Sequence, residues 1–428
     1  MISALKLSIR SLLFRKKQYI SLFLVCVLGS GISMLSLFVL NGMLFSLEEK
    51  ARIYYGGDMQ FIGGKNELRF DDTESVIQKL QTVFPDALIA ERFDFDAQRA
   101  SLYFEGLSVR QRVIKGVDFE HEKKLFSSIN FVEGSSEGMN GTNGILLSAP
   151  CARKLNVQTG DNITLMLYSS KGHINTAELT VRGIFTDSSL FGMYTSYMDL
   201  NVLRNLYEAK NSFSNRICIN FGGRSFSESE LENFQGSLEN LFTMFPLVKD
   251  KQAFYDKLLS SSFSEPTYLL VPLEANLREL RMLIFAMKAV SFFIILILVF
   301  IIVVGIAGTY KVIVLKRINE IGIYMALGME KRDINRTFSL ESLCLLVSGC
   351  AAGTVFACIL SAFFSGLRLS FLPAFDIFLI NGSLMPRIEF MPVFTVSLAV
   401  IFFTMTVIRR SLKKITAVMP AKALSAVS

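Results

Sequence analysis

The sequence predicts an α-helical membrane protein with four spanning helices and a mixed α+β domain inserted between the first and the second. Three observations predict it. Apolar residues fill 51% of 428 positions, and the mean hydropathy of +0.43 is high for a water-soluble chain. Four apolar runs, 19–47, 289–310, 338–365 and 391–408, are long enough to cross about 30 Å of hydrocarbon, the last at the lower edge of the range. Between the first two runs, residues 48–276 switch to alternating and turn-rich patterns, enough chain for a core of its own.

The net charge of +7 follows the same plan. Lys6, Arg10, Arg15, Lys16 and Lys17 precede the first run. Lys311, Lys316, Arg317, Lys331, Arg332 and Arg336 lie between the second and third, and Arg409, Arg410, Lys413, Lys414 and Lys422 follow the fourth. Short basic segments stay on the cytoplasmic side of a membrane, so both termini are expected inside and residues 48–276 outside. Topology accounts for the basic excess. No basic surface interleaved with aromatics marks the soluble part, so nucleic acid is not an expected partner.

In chain order, residues 1–17 form an amphipathic interfacial helix, with Ile2, Leu5, Ile9, Leu12 and Leu13 on one side and Lys6, Arg10 and Lys17 towards the other. The first span, 18–47, carries no charge and is far longer than the core of a signal peptide, so it reads as an uncleaved anchor. Gly29 and Gly31 allow close helix approach, with a neutral role as the equal alternative.

In the domain, residues 75–82 and 197–207 read as helices. Residues 162–168 and 177–185 read as strands, joined by the turn 169–173. Residues 277–315 combine a stalk with the second span, and 316–336 form a joint. Residues 337–366 hold the third span, 367–390 a short external loop, 391–408 the fourth span and 409–428 a cytoplasmic tail. In the joint, Ile318, Ile321 and Met325 recur at helical spacing while Ile323 and Leu327 fall on the opposite side, with Gly328 at the expected C-cap. Such a helix has two surfaces to bury, one against membrane helix ends and one against a partner. A plain basic loop at the membrane surface is the alternative. Glu341 opens the third span, where a carboxylate is expected to face protein or the interface.

Several chemical patterns fail. Gly64-Lys65 lacks the first glycine and the Ser or Thr of a phosphate-cradling loop. Two histidines and no C-x-x-C pair argue against a zinc site. Gly134-Ser135-Ser136-Glu137-Gly138 fits a hydrolase elbow but lacks its strand-then-helix setting, and 133–142 reads as a loop. Asp94 and Asp96 read as a solvated turn. Cys26, Cys344, Cys350 and Cys358 fall in spans, while Cys151 and Cys218 lie in the domain, where pairing depends on an unknown distance.

Glu320-Ile321-Gly322-Ile323 followed by Ala326-Leu327-Gly328 resembles the joint of FtsX/MacB-like ABC-transporter permeases. Further motifs agree in order: Asn143-Gly144-Ile145-Leu146-Leu147, Ala152-Arg153-Lys154-Leu155, Val157-Gln158-Thr159-Gly160-Asp161 and Leu179-Thr180-Val181-Arg182-Gly183-Ile184-Phe185. Phe338 and Glu341, followed by Gly349 and Gly353, resemble the family's third span, and Pro420-Ala421-Lys422-Ala423-Leu424 its tail.

The resemblance implies a MacB-like periplasmic core domain and a non-catalytic permease subunit in the inner membrane. It implies that Ile318, Glu320, Ile321, Gly322, Ile323, Leu327 and Gly328 couple the chain to a separate ABC ATPase, which binds the ATP and Mg; no cofactor is expected in this chain. Glu341, Gly349 and Gly353 are expected to be structural. The large domain is similar to that of lipoprotein-releasing (LolC/LolE-like) permeases, which implies a dimer with a second copy or paralogue, contact with membrane lipid, a lipoprotein substrate and a periplasmic carrier. The hairpin at 168–176 is short and lacks proline, a departure that leaves carrier docking open. A signalling permease acting on an extracytoplasmic enzyme, or a MacB-like exporter of another substrate, is the alternative.

Overall fold

Long helices account for one part of the chain and one continuous sheet for the other. The computed structural model describes residues 10, 14, 16–70, 72–96, 100–187, 189, 191–209, 213–247, 251–260, 263–367, 373–380 and 382–417. The interfacial helix expected over 1–17 and the tail motif at 420–424 lie outside the described residues, apart from Arg10, Phe14, Lys16 and Lys17.

Helix α1 (Lys16–Tyr55) is 40 residues long, about twice what a bilayer requires. Then come β1 (Met59–Gly64), α2 (Thr73–Val83), β2 (Leu88–Asp96), β3 (Ala100–Phe104), β4 (Leu107–Arg110), β5 (Val113–Val117), α3 (Lys123–Phe126) and β6 (Phe131–Gly134). They are followed by β7 (Gly144–Ser148), α4 (Ala149–Leu155), β8 (Asn162–Tyr168), β9 (Ile174–Phe185), β10 (Thr195–Asp199), α5 (Leu200–Tyr207) and β11 (Arg216–Asn220). Helices α6 (Glu228–Glu239) and α7 (Gln252–Ser260), strand β12 (Thr267–Pro272) and the one-turn α8 (Leu273–Asn276) complete this part. The chain then runs through α9 (Arg281–Lys316), α10 (Ile318–Ala326), α11 (Lys331–Ser365) and α12 (Phe390–Ala417). By length and composition α1, α9, α11 and α12 can each cross a membrane.

Two units separate. One contains residues to Leu44, Leu283–Arg368 and Leu384 onward; the other contains Phe45–Met282 with Leu369–Ser383. The second unit therefore takes in part of the loop between α11 and α12, a grouping with no counterpart in the sequence pattern. Lys50 ties that loop in, through an ion pair of 3.0 Å to Asp376.

In the second unit the strands run in the order β12-β1-β11-β2-β5-β10-β7-β9-β8-β3-β4, with β6 beside β9. The β5–β10 and β7–β9 pairs are parallel, and the others are antiparallel. Central strands bury both faces, which explains their continuous apolar runs. On β7, Ile145 and Leu147 enter a core with α4 and α5, while Leu146 enters another with Phe126, Phe185 and Tyr197. On β1, Phe61 packs with α2 and α6, whereas Ile62 packs with Phe254 and Leu258 of α7.

Helix ends are closed by local chemistry. The Asp72 carboxylate accepts from the Ser75 N–H at 3.2 Å, and Ser227 with Glu230 forms a capping box at the start of α6. The last turn of α1 ends on buried charge. Arg92, wholly buried on β2, donates to the Ile53 and Tyr54 carbonyls at 3.0 and 3.1 Å, two acceptors that the helix cannot satisfy itself. Its Nε donates to Glu122 at 2.8 Å. Burial alone would lower the Arg92 pKa, but Glu122 outweighs it and pushes it up. The Lys115 ammonium sits 4.0 Å from the centre of the Tyr54 ring.

Three expectations are corrected, and the open question of the two domain cysteines is answered. Residues 197–199 belong to β10, not to a helix. They are buried between β5 and β7, and Asp199 caps α5 by accepting from the Asn201 and Val202 N–H groups. A five-residue strand of mixed polarity running straight into a helix does not betray its period. Asp94 and Asp96 lie on β2, not in a solvated turn. Lys115 is 2.7 Å and Arg216 4.0 Å from Asp94; burial favours the neutral acid, yet these cations hold the carboxyl below its usual range. Glu133 and Gly134 close strand β6, and the Gly134–Gly138 stretch leads to strand β7 without the helix of a hydrolase elbow. Cys151 and Cys218 are both free and buried. Cys151 accepts from Gln111 at 3.2 Å and Cys218 faces the Tyr55 carbonyl at 3.3 Å.

Candidate functional site at the α9–α10 joint

Helix α9 stops because Arg317 leaves helical geometry (φ −101°, ψ 17°) and becomes the residue before α10. Helix α10 stops in a Schellman turn: the Gly328 N–H donates to the Met325 carbonyl at 3.1 Å and the Met329 N–H to Tyr324 at 3.0 Å. Leu327 is the C-cap and Gly328 the residue after it, where φ of +85° requires glycine.

Helix α10 divides as its spacing predicts. Ile321 is 3% exposed and packs in the membrane-unit core with Tyr310, Ile334 and Phe338. Ile318, Glu320 and Gly322 are half-buried at the edges. Ile323 is 59% and Leu327 79% exposed. Lys316, Lys331, Arg332 and Arg336 are exposed nearby in sequence, as are Glu330 and Asp333, and Arg336 pairs with Asp333 at 3.5 Å.

Arg317 departs from the picture of a solvated basic run. It is 3% exposed and faces Glu341, which is 1% exposed, across 2.6 Å. The same guanidinium nitrogen donates to the Tyr19 hydroxyl at 2.9 Å. Tyr19 in turn donates to Glu341 at 3.0 Å. Arg317 Nε donates to Glu320 at 2.9 Å, and the guanidinium lies 4.5 Å from the centre of the Phe338 ring. One ionic cluster thus draws on α1, the α9–α10 junction, α10 and α11. Arg317 and Tyr19 escaped sequence reasoning as site residues. The available signal was the pairing of Glu341, a lone acid at the edge of a span, with a base at the edge of another.

Gly349 and Gly353 sit where α11 meets α1. A methyl added at Gly349 would lie 2.6 Å from Cys26 Sγ, and one at Gly353 would lie 2.1 Å from Ser30 Oγ and 2.9 Å from the Val27 carbonyl oxygen. Gly31 faces Gly353 from the other side. The backbones approach this closely because side chains are missing from both helices. Among the described residues no group of three or more His, Cys, Asp or Glu is placed to hold a metal.

Part of the chain resembles a known family. Residues 292–417, which contain most of α9 and all of α10, α11 and α12, match the family described as FtsX-like permease C-terminal. The match takes in the α9–α10 joint and the helices that follow it, less than a third of the chain. No curated protein matches the chain. Among solved structures, the crystal structure of the periplasmic region of MacB from Actinobacillus actinomycetemcomitans aligns with a TM-score of 0.31 at 11% identity, covering 54% of this chain and 95% of that one.

Proposed function

We propose that this chain is the membrane permease of an ABC transporter and is driven by a separate ATPase that docks on the Ile323 and Leu327 face of α10. One observation carries the reading: a short helix within the matched segment buries Ile321 in its own bundle and leaves two large apolar side chains, Ile323 and Leu327, uncovered. Exposed apolar side chains at a loop end are costly in water and reward a partner that covers them. The partner supplies ATP and Mg; this chain supplies the lever. In this reading the basic segments are cytoplasmic, with both termini and α10 inside and residues 48–276 outside the inner membrane.

The substrate reading is lipoprotein release. Ile20, Leu24, Leu28 and Ile32 form an exposed apolar stripe on α1, against which an acyl chain can rest in the membrane at no desolvation cost. A second copy or paralogue and a periplasmic carrier complete that scheme. A signalling permease, or a MacB-like exporter of another substrate, would keep lipoproteins correctly sorted after depletion of this chain, and that outcome removes the release reading.

The docking test uses the full-length chain in nanodiscs with the ABC ATPase that co-purifies from its host membranes. Covering a leucine contributes about 1.5–3 kcal/mol, so Leu327→Ser should weaken ATPase binding by roughly ten- to a hundredfold. The variant should fold normally, because Leu327 is already exposed. Unchanged affinity would remove α10 as the docking element.

A further inference from the structure

We propose that Arg317, Glu341 and Tyr19 are a positioning latch: they hold α10 at a set angle to α1 and α11, so that a push on Ile323 and Leu327 moves those helices instead of bending the joint. The inference rests on the docking reading above and adds the residues that make a docked helix mechanically useful.

The need for a latch comes from the backbone. Between Lys316 and Ile318 the chain has a single non-helical residue, Arg317. A break of one residue between two helices is a hinge, and a force on α10 alone would be absorbed there as a change in φ and ψ. The side chain of that same hinge residue is the buried one. Its guanidinium reaches Glu341 on α11 at 2.6 Å, Tyr19 on α1 at 2.9 Å and Glu320 on α10 at 2.9 Å. The Tyr19 hydroxyl closes the triangle on Glu341. Tyr310 on α9 donates to the Phe338 carbonyl at 2.7 Å, which fastens the helix before the hinge to the same turn of α11. A change in hinge angle therefore has to break directional, charge-assisted bonds to three helices at once.

Stability alone does not call for this arrangement. Removing two charges from water is expensive, and apolar residues of similar size commonly hold a buried site as well or better. What apolar contact cannot supply is direction: a planar guanidinium fixes angles, whereas methyl groups slide. The geometry is thus suited to specifying one orientation of α10.

The test separates latch from glue. Full-length chain in nanodiscs, with its co-purifying ATPase, is compared with Glu341→Gln and with the apolar double variant Arg317→Met/Glu341→Leu. Two quantities are read: the amount of ATPase bound, and the change in amide hydrogen exchange over residues 45–64 on trapping with ATP and vanadate. The expected result is wild-type ATPase binding in both variants, thermal stability restored in the double variant, and loss of the ATP-dependent exchange change in both. A double variant that regains the exchange change with its stability assigns the cluster a purely structural role and overturns the latch. So does an exchange change that survives in Glu341→Gln. If the wild-type chain retains no ATPase, the docking reading fails and the latch's role falls with it; if it retains ATPase and responds to ATP, only the latch is at stake.

Discussion

Replacing Gly353 by alanine adds one methyl group to the protein at a place where the structure has no room for it. The new Cβ would lie 2.1 Å from Ser30 Oγ, 2.9 Å from the Val27 carbonyl oxygen and 3.0 Å from the Gly31 nitrogen. Ser30 can rotate away, but only by giving up its hydrogen bond to the Cys26 carbonyl at 2.7 Å. The other two neighbours are backbone, so α1 and α11 must separate by about half an ångström to restore ordinary contact. Overpacking of this kind costs about 1–3 kcal/mol, and a lost hydrogen bond adds about 0.5–1.5 kcal/mol. Gly308→Ala is the control: it lies in α9, and its added Cβ meets nothing within 4 Å. The assay is thermal unfolding of the purified full-length chain in detergent, followed with a thiol-reactive fluorophore that reports exposure of the buried Cys26 and Cys350. Gly353→Ala should melt several degrees below wild type, at about 2–4 °C for each kcal/mol lost, and Gly308→Ala within error of it. If the two variants melt together, the close α1–α11 approach is wrong.

The remaining predictions concern the second unit and are read in the full-length chain. Arg92→Met strands the buried Glu122 carboxylate and two helix-end carbonyls, and should destabilise by about 3–5 kcal/mol in urea-dependent pulse proteolysis. Adding Glu122→Leu should recover much of that loss, and a double variant no better than the single one refutes the pairing. Asp94 has a folded pKa below its unfolded value, so its contribution is complete above the unfolded value of about 3.9 and disappears as pH falls through the folded one. The stability gap between wild type and Asp94→Asn should accordingly hold across neutral pH and close in acid; a gap independent of pH counts against the Lys115 and Arg216 pairing. Burial pushes the Cys151 thiol up to about 11 and the Cys218 thiol up to about 12. Neither should react with a maleimide at neutral pH until the protein is denatured, whereas a mass loss of two hydrogens in the native protein would reveal a disulfide.

Much of the fold was legible because membrane insertion and strand burial leave periodic marks. The long uncharged stretch of α1, the alternation in Asn162–Tyr168 and the two-faced spacing of Ile321 against Ile323 and Leu327 are local patterns, and each element forms where its pattern lies. Where a residue's role depends on a distant neighbour, the pattern misled. Asp94 looked solvated because Lys115 and Arg216, which make its burial tolerable, lie on other strands. Residues 197–199 looked helical because nothing local announces β5 and β7 on either side.

The amino-acid order by itself determined four apolar spans, their basic flanks and a helix with two faces at the joint, since hydropathy and period are properties of neighbouring residues. Only the tertiary structure decided that Arg317 is buried against Glu341 and Tyr19, 24 and 298 positions away. It also decided that Gly353 lies against Ser30 and that the loop carrying Asp376 joins the sheet-bearing unit. A buried charge is tolerated only where its counter-charge arrives, and that arrival is set by how helices pack, which no local reading of the chain contains.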